Sequence, residues 1–305
     1  MRTASVCSHL LAWLVSTVLV AIASDVAAGD GLPRTREDCR RSLVFYYPDT
    51  VGRDHGEIAR RVLSVIHGPL SARFGKQLQG FYFTRRHDLE TFMDHCGRVI
   101  GQFPLGGMLH AELALEKKDA WELQVFARAV VEATGDTQII CVVVRRGSGI
   151  KSLEDLRGRV LMTPEFWDPA SKRPREVVFE NKLSLTDFAK LEAASSSISA
   201  LTGMAFKQAD AALVSNRVFE LFRERFPQMW RVIESIHESQ PIPINLFVGA
   251  GNLSAGEVVA LRTAVETINT SAEGIAALEY VHTTSLKQAT WQDVYPALGL
   301  SARAR

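Results

Sequence analysis

Gln138-Ile-Ile-Cys-Val-Val-Val-Arg145 places six consecutive apolar residues between two polar ones. Such a run reads as a strand buried on both faces. The chain alternates strand and helix on both sides of it. Upstream, Ser42-Leu-Val-Phe-Tyr-Tyr47 reads as a first strand, stopped by Pro48-Asp49. Ile58, Val62, Val65, Ile66 and Leu70 recur at helical spacing and predict a helix over 56–74. A second strand is expected over 78–84, a short helix over 87–95 and a third strand over 98–103. A helix near 106–117 and a strand over 123–132 complete this cycle. The rhythm calls for parallel strands joined by right-handed crossovers.

Downstream a second cycle begins. Ser152 and Asp155 cap a short helix over 150–157, and Gly158 stops it. Strands are expected over 159–162, 188–192, 209–214 and 230–236, with helices over 175–181, 197–207 and 219–226. Pro241-Ile-Pro-Ile-Asn-Leu-Phe-Val248 then leads back out of this unit. The remainder reads as helices over 254–271, 272–282 and 288–297, with Ser254 and Glu257 forming a capping box. No repeat or long linker separates the two cycles, so the halves exchange strands instead of following one another like beads.

Composition sets the outer bounds. The 305 residues include 35 Lys and Arg against 34 Asp and Glu, with 47% hydrophobic and 23% charged residues. These values are ordinary for a globular chain and exclude a disordered or collagen-like one. A near-neutral balance argues against a broad nucleic-acid surface. At this length one large or two medium domains are expected.

At the N-terminus, Arg2 precedes an apolar run over 10–23, and Val26-Ala27-Ala28 follows. This is the pattern of a secretory signal peptide over 1–28, cleaved after Ala28 or Ala23. The run is short for a membrane span. The mature protein is therefore expected to be exported to the periplasm. Of the four cysteines, Cys7 would leave with the signal, while Cys39, Cys96 and Cys141 remain in an oxidising compartment. Three thiols allow one internal bridge at most.

Several segments carry a family resemblance. Gly149-Ile-Lys-Ser-Leu-Glu-Asp-Leu-Arg-Gly-Arg-Val160 resembles a segment of type II periplasmic binding proteins. Ala209-Asp-Ala-Ala-Leu-Val214 resembles a strand of theirs, residues 233–243 (IESIHESQPIP) their return to the first lobe, and Glu273-Gly-Ile-Ala-Ala-Leu278 a closing helix. In order and spacing, over roughly 42–298, the set is similar to the phosphate, phosphite and phosphonate-binding branch serving ABC importers. The resemblance implies an α/β fold of two lobes, each a mostly parallel sheet flanked by helices, with a ligand cleft between them. Lobe one would comprise about 40–140 plus 244–305, and lobe two about 141–243. It also makes the first and third strands adjacent, which brings Cys39 and Cys96 to one sheet edge and implies a disulfide between them. Cys141 is left as a buried free thiol.

Ligands of open α/β sheets sit beyond the carboxyl ends of strands, at helix N-termini that favour anions. That rule nominates Tyr46, Tyr47 and Asp49 after the first strand, and Gln102 and Phe103 after the third. In the second cycle it nominates Ser171, Lys172 and Arg173, which resemble the family's anion loop, together with Ser197, Ser215 and Asn216. Alternation sends only one of Tyr46 and Tyr47 to each face, Ser195–Ser197 also fits a plain helix cap, and Asp210 reads as structural. Lys172-Arg173-Pro174 stands where the family carries a further Ser and Gly. The expected ligand is thus a small anion, phosphonate-like or another oxyanion or carboxylate, bound without a cofactor. The expected partner is an ABC permease, or alternatively a membrane sensor protein served by a module of the same fold. The chain is expected to act as a monomer and to bind no nucleic acid.

Catalysis is not expected. The sequence holds no G-x-S-x-G elbow, no Walker loop and no H-E-x-x-H motif. Its histidines are scattered, and the spacing of His87, His95 and Cys96 does not suit a metal site.

Overall fold

A computed structural model describes residues 32–46, 78–83, 85–131, 135, 137–164, 178–180, 182–280 and 283–297. The expected signal segment and the helix over 56–74 lie outside the described residues. Along the chain run α1 (Arg36–Arg40), β1 (Ser42–Tyr46), β2 (Gln79–Phe83), α2 (Arg86–Asp94), β3 (Gly106–His110), α3 (Ala111–Glu116) and β4 (Gln124–Val130). Next come β5 (Thr137–Gln138), β6 (Ile140–Arg145), β7 (Val160–Pro164), β8 (Lys190–Ala194), α4 (Ser197–Ala205), β9 (Ala211–Ser215), α5 (Asn216–Arg225) and α6 (Pro227–Trp230). The chain closes with β10 (Ile233–Glu238), β11 (Ile242–Pro243), β12 (Asn245–Gly249), α7 (Ala255–Thr270), α8 (Ala272–Tyr280), β13 (Ser285–Gln288) and α9 (Trp291–Ala297).

Two mixed sheets result. One is ordered β13-β4-β12-β3-β1-β2 and the other β10-β6-β9-β7-β8. β1 pairs in parallel with both β2 and β3, as the βαβαβ rhythm requires. β7 likewise lies parallel to β8 and β9. The remaining pairings within these sheets are antiparallel, which corrects the expectation of mostly parallel sheets. The cause is the exchange of chain between the sheets. β4 carries the chain out of the first sheet and β12 brings it back, so the two must run in opposite directions. β6 and β10 stand in the same relation in the second sheet. At the crossing itself β5 and β11 pair antiparallel, Gln138 opposite Ile242.

Side-chain alternation explains why the central strands are wholly apolar. Val44 and Tyr46 of β1 join a core with Leu89 and Phe92, while Leu43 and Phe45 join the opposite face with Leu261 and Val265 of α7. In the second sheet Val142 and Val144 face one core, and Cys141 and Val143 face another beneath α4 and α5.

The third strand is displaced from its expected place. Instead of a strand over 98–103, α2 runs on through a π-helical turn, His95–Ile100, ended by Gly101 at φ 74°. Val99 is 72% exposed, so the apolar pair Val99-Ile100 supplies no buried strand. The strand is Gly106–His110, where a helix was expected to start. Here the glycines permit close backbone approach rather than breaking the chain. A Cβ on Gly107 would lie 1.7 Å from the Val44 carbonyl oxygen, and one on Gly106 would lie 2.1 Å from that of Val248. Elsewhere, only Glu154–Leu156 of the expected helix over 150–157 is helical, as a single 3-10 turn, although Asp155 does accept the Ser152 N–H. Trp230 ends a helix and does not open a strand, and β13 had no counterpart in the sequence reading.

The amino edge of the first sheet is cross-linked. Cys39 and Cys96 are bonded, with S–S 2.16 Å and Cα atoms 5.7 Å apart, while Cys141 is free and buried. Beside the bridge, Arg40 makes a two-pronged contact with Glu257, Nε and Nη2 each 2.7 Å from a carboxylate oxygen, and donates to the Ala250 carbonyl at 2.9 Å. Glu257 also closes the predicted capping box with Ser254. Burial pushes the Glu257 carboxyl up, but the Arg40 guanidinium and Ser254 outweigh it and hold it below the usual range.

Two outcomes follow for stability. Gly107→Ala should destabilise the fold by at least about 1–3 kcal/mol, the cost of overpacking, read as a lowered midpoint in chemical denaturation. Reducing the Cys39–Cys96 bond should cost about 2–4 kcal/mol, because it releases a 57-residue separation in the unfolded chain. Thermal melts with and without reductant check this, with Cys39→Ala/Cys96→Ala as an insensitive control.

Candidate ligand cleft

The strand directions place two edges at the crossing between the sheets. In the first sheet β3 ends at His110, which pairs with Asn245, where β12 arrives from the crossing. β1 and β2 run parallel to β3, so Tyr46 and Phe83 end on the same edge. In the second sheet β6 leaves the crossing at Ile140, which pairs with Ser215 at the carboxyl end of β9. β7 and β8 share that direction and end at Pro164 and Ala194. Carboxyl edges of both sheets therefore meet at the crossing, and α4 and α5 begin on the second of them.

Both helix starts are capped by serine. Ser196 accepts from the Ser199 N–H at 3.1 Å, and Ser215 accepts from the Val218 N–H at 3.4 Å. Each serine satisfies one first-turn N–H, and the positive end of each helix dipole lies at the second-sheet edge facing the crossing. Within Ser195–Ser197 the cap is thus Ser196, while the nominated Ser197 is buried in the first turn. Asn216 turns toward the crossing: its N–H donates to the Ile139 carbonyl at 2.8 Å, and its Oδ1 accepts the Ile139 N–H at 3.3 Å. Asp210 accepts the Val160 N–H at 2.9 Å, in keeping with the structural role read from the sequence.

Tyr46 is wholly buried at the carboxyl end of β1. Gln102 and Phe103 are not brought near it. They precede β3, so they stand at the opposite, amino edge. There the Gln102 N–H donates to the Cys96 carbonyl at 2.9 Å, and the Phe103 ring packs against Gly97 and Gly251. The displacement of the third strand is the physical reason. Tyr47, Asp49, Ser171, Lys172 and Arg173 lie outside the described residues.

Sequence reasoning passed over a pair that the structure brings together here. His110 and Gln138 are both buried, with His110 Nε2 3.0 Å from Gln138 Nε2. Burial lowers the imidazole to about 4, so it is neutral at ordinary pH. The available signals were slight: a histidine closing an apolar run after Gly-Gly, and the polar residue that opens 138–145. Among the described residues no group of three or more His, Cys, Asp and Glu side chains could hold a metal, and no helix is long and apolar enough to cross a membrane.

Residues 108–295 match the family model described as ABC transporter, phosphonate, periplasmic substrate-binding protein. The chain belongs to that family. No curated protein matches it in sequence. Among solved structures, a Xanthomonas citri protein bound to ATP is similar at 14% identity and TM-score 0.68, covering 85% of this chain and 96% of its own. The binding-protein component of a phosphonate ABC transporter from Pseudomonas aeruginosa is similar at 18% identity and TM-score 0.61, covering 84% and 83%. A Prochlorococcus marinus protein in complex with methylphosphonate is similar at 12% identity and TM-score 0.62, covering 84% and 96%. These likenesses identify a two-lobed periplasmic binding protein fold. Family members are periplasmic substrate-binding components of ABC transporters, a role that implies a small solute and a permease partner.

The buried histidine makes stability depend on pH. The folded value of about 4 lies below the ordinary 6.5. His110 therefore costs nothing above pH 6.5, and stability falls as pH drops from there toward 4, by on the order of 3 kcal/mol. Denaturation midpoints at pH 7.5 and 4.5 should diverge in the parent protein, and this component of the difference should disappear in His110→Asn.

Proposed function

We propose that the protein captures a small oxyanion, phosphonate-like or a carboxylate, between its lobes and delivers it to an ABC permease. The observation that carries the anion reading is the pair of serine-capped helix starts, α4 and α5, on the second-sheet edge at the crossing. Membership of a family described by phosphonate supports the same chemistry. In this reading Ser197 and Ser215 stand at the helix starts, Ser171, Lys172 and Arg173 add hydroxyl and cationic donors, and Tyr46, Tyr47 and Asp49 contribute from lobe one. Two cations where relatives carry Ser and Gly favour a more highly charged anion than an aminoalkylphosphonate. Lobe one is proposed to span 40–140 with 244–305, and lobe two 141–243. The protein is proposed to work as a monomer after removal of residues 1–28.

Thermal-shift and calorimetric titration with methylphosphonate, phosphite, phosphate, sulfate, ATP and small carboxylates tests the reading. At least one anion should raise the melting temperature in a saturable way. Lys172→Ala/Arg173→Ala should weaken its binding by about tenfold or more, each charged hydrogen bond being worth about 1.5–3 kcal/mol. Stabilisation by neutral or cationic compounds alone would overturn the anion assignment.

A further inference from the structure

Three successive residues of the outgoing crossing segment are each held by a different side chain. Gln138 meets His110 at 3.0 Å, and His110 ends β3 of the first sheet. The Ile139 N–H donates to Asn216 Oδ1 at 3.3 Å, its carbonyl accepts the Asn216 backbone N–H at 2.8 Å, and Asn216 opens α5 on the second sheet. Ile140 donates to Ser239 Oγ at 2.9 Å and accepts the Ser239 N–H at 2.9 Å. Ser239 directly follows β10 of the second sheet, and its hydroxyl donates to the Gln240 carbonyl at 2.8 Å. On the returning segment, Ile244 accepts the Ala111 N–H at 3.1 Å, next to His110. Allegiance thus changes from first sheet to second within the single peptide joining Gln138 to Ile139. On the return it changes between Ser239 and Ile242, across the exposed Gln240 and Pro241.

We propose that these side-chain clasps fix the hinge axis of the two lobes, with one pivot at the 138–139 peptide and the other at Gln240-Pro241. Hinges absorb motion in a few residues at element ends, and the clasps decide which residues those are. Asn216 and Ser239 are then positioning residues of the hinge, and Asn216 is not a ligand contact. His110 ties the carboxyl end of β3 to the crossing segment through Gln138. The two clasps on lobe two keep 139–140 rigid with that lobe, so the swing is not spread along β6.

The test uses the full mature chain without ligand. Spin labels at Val259→Cys on lobe one and Phe206→Cys on lobe two, both at exposed positions, report the interlobe distance distribution. Cys141 stays unlabelled because it is buried and its thiol is pushed up to about 12. Asn216→Ala and Ser239→Ala should each widen the distribution. In amide exchange they should speed Ile139 and Ile140 respectively by about fivefold, the worth of one hydrogen bond, while 142–144 remain as protected as before. Asn216→Asp, which keeps the acceptor oxygen, should restore the parent distribution. Gln138→Ala should widen the distribution without altering exchange at 139 or 140. An unchanged distribution in the combined Gln138→Ala/Asn216→Ala/Ser239→Ala protein would overturn the proposal. So would exchange that rises along the whole of β6, since that would mark general loosening of the sheet.

Discussion

The approach of three backbones around Gly106 and Gly107 is the constraint on which the rest of the molecule depends. β3 lies against β1 on one side and β12 on the other at a distance that leaves no room for a Cβ. Through this contact the parallel half of the first sheet, β1 and β2, is fused to the antiparallel half, β12, β4 and β13. The fusion brings the carboxyl end of β1, with Tyr46, beside the carboxyl end of β3, with His110. It also delivers the returning chain, at Asn245, to the same place. Were β3 displaced by one side chain's width, the carboxyl edge of the sheet and the crossing would no longer coincide.

The two edges of that sheet are built differently. The amino edge is covalently and electrostatically fixed by Cys39–Cys96 and by Arg40 with Glu257. The ion pair is largely shielded, yet its desolvation is offset by two-pronged geometry and by the additional bond to the Ala250 carbonyl. The carboxyl edge holds the ends of β1, β2 and β3, at Tyr46, Phe83 and His110, and the serine-capped helix starts lie across the crossing on the second sheet's edge. A binding protein must close around its solute, so rigidity belongs where the lobes do not move and hydrogen-bonding capacity where they meet.

The alternation of strands and helices was legible because central strands must be apolar on both faces and surface helices on one. β1, β6, β9 and the Ser254–Glu257 cap follow from such local rules. The position of β3 was not legible. Arg98-Val-Ile has the composition of a strand and Gly106-Gly107 that of a breaker, and only the neighbours' closeness inverts the reading. That inversion also moved Gln102 and Phe103 to the wrong edge. His110 and Gln138 were passed over because they lie 28 residues apart, and burial against each other is what distinguishes them.

By itself the sequence determined the fold class, the two interleaved cycles and their likeness to periplasmic binding proteins. Those features rest on periodicity, capping and short-range order, which each segment carries within itself. Tertiary structure alone decided strand direction in each sheet, the edge on which each polar residue stands, and the clasping of 138, 139 and 140 by three distant side chains. These depend on which backbones approach closely enough to exclude a Cβ or share a hydrogen bond, a property of pairs far apart in the chain.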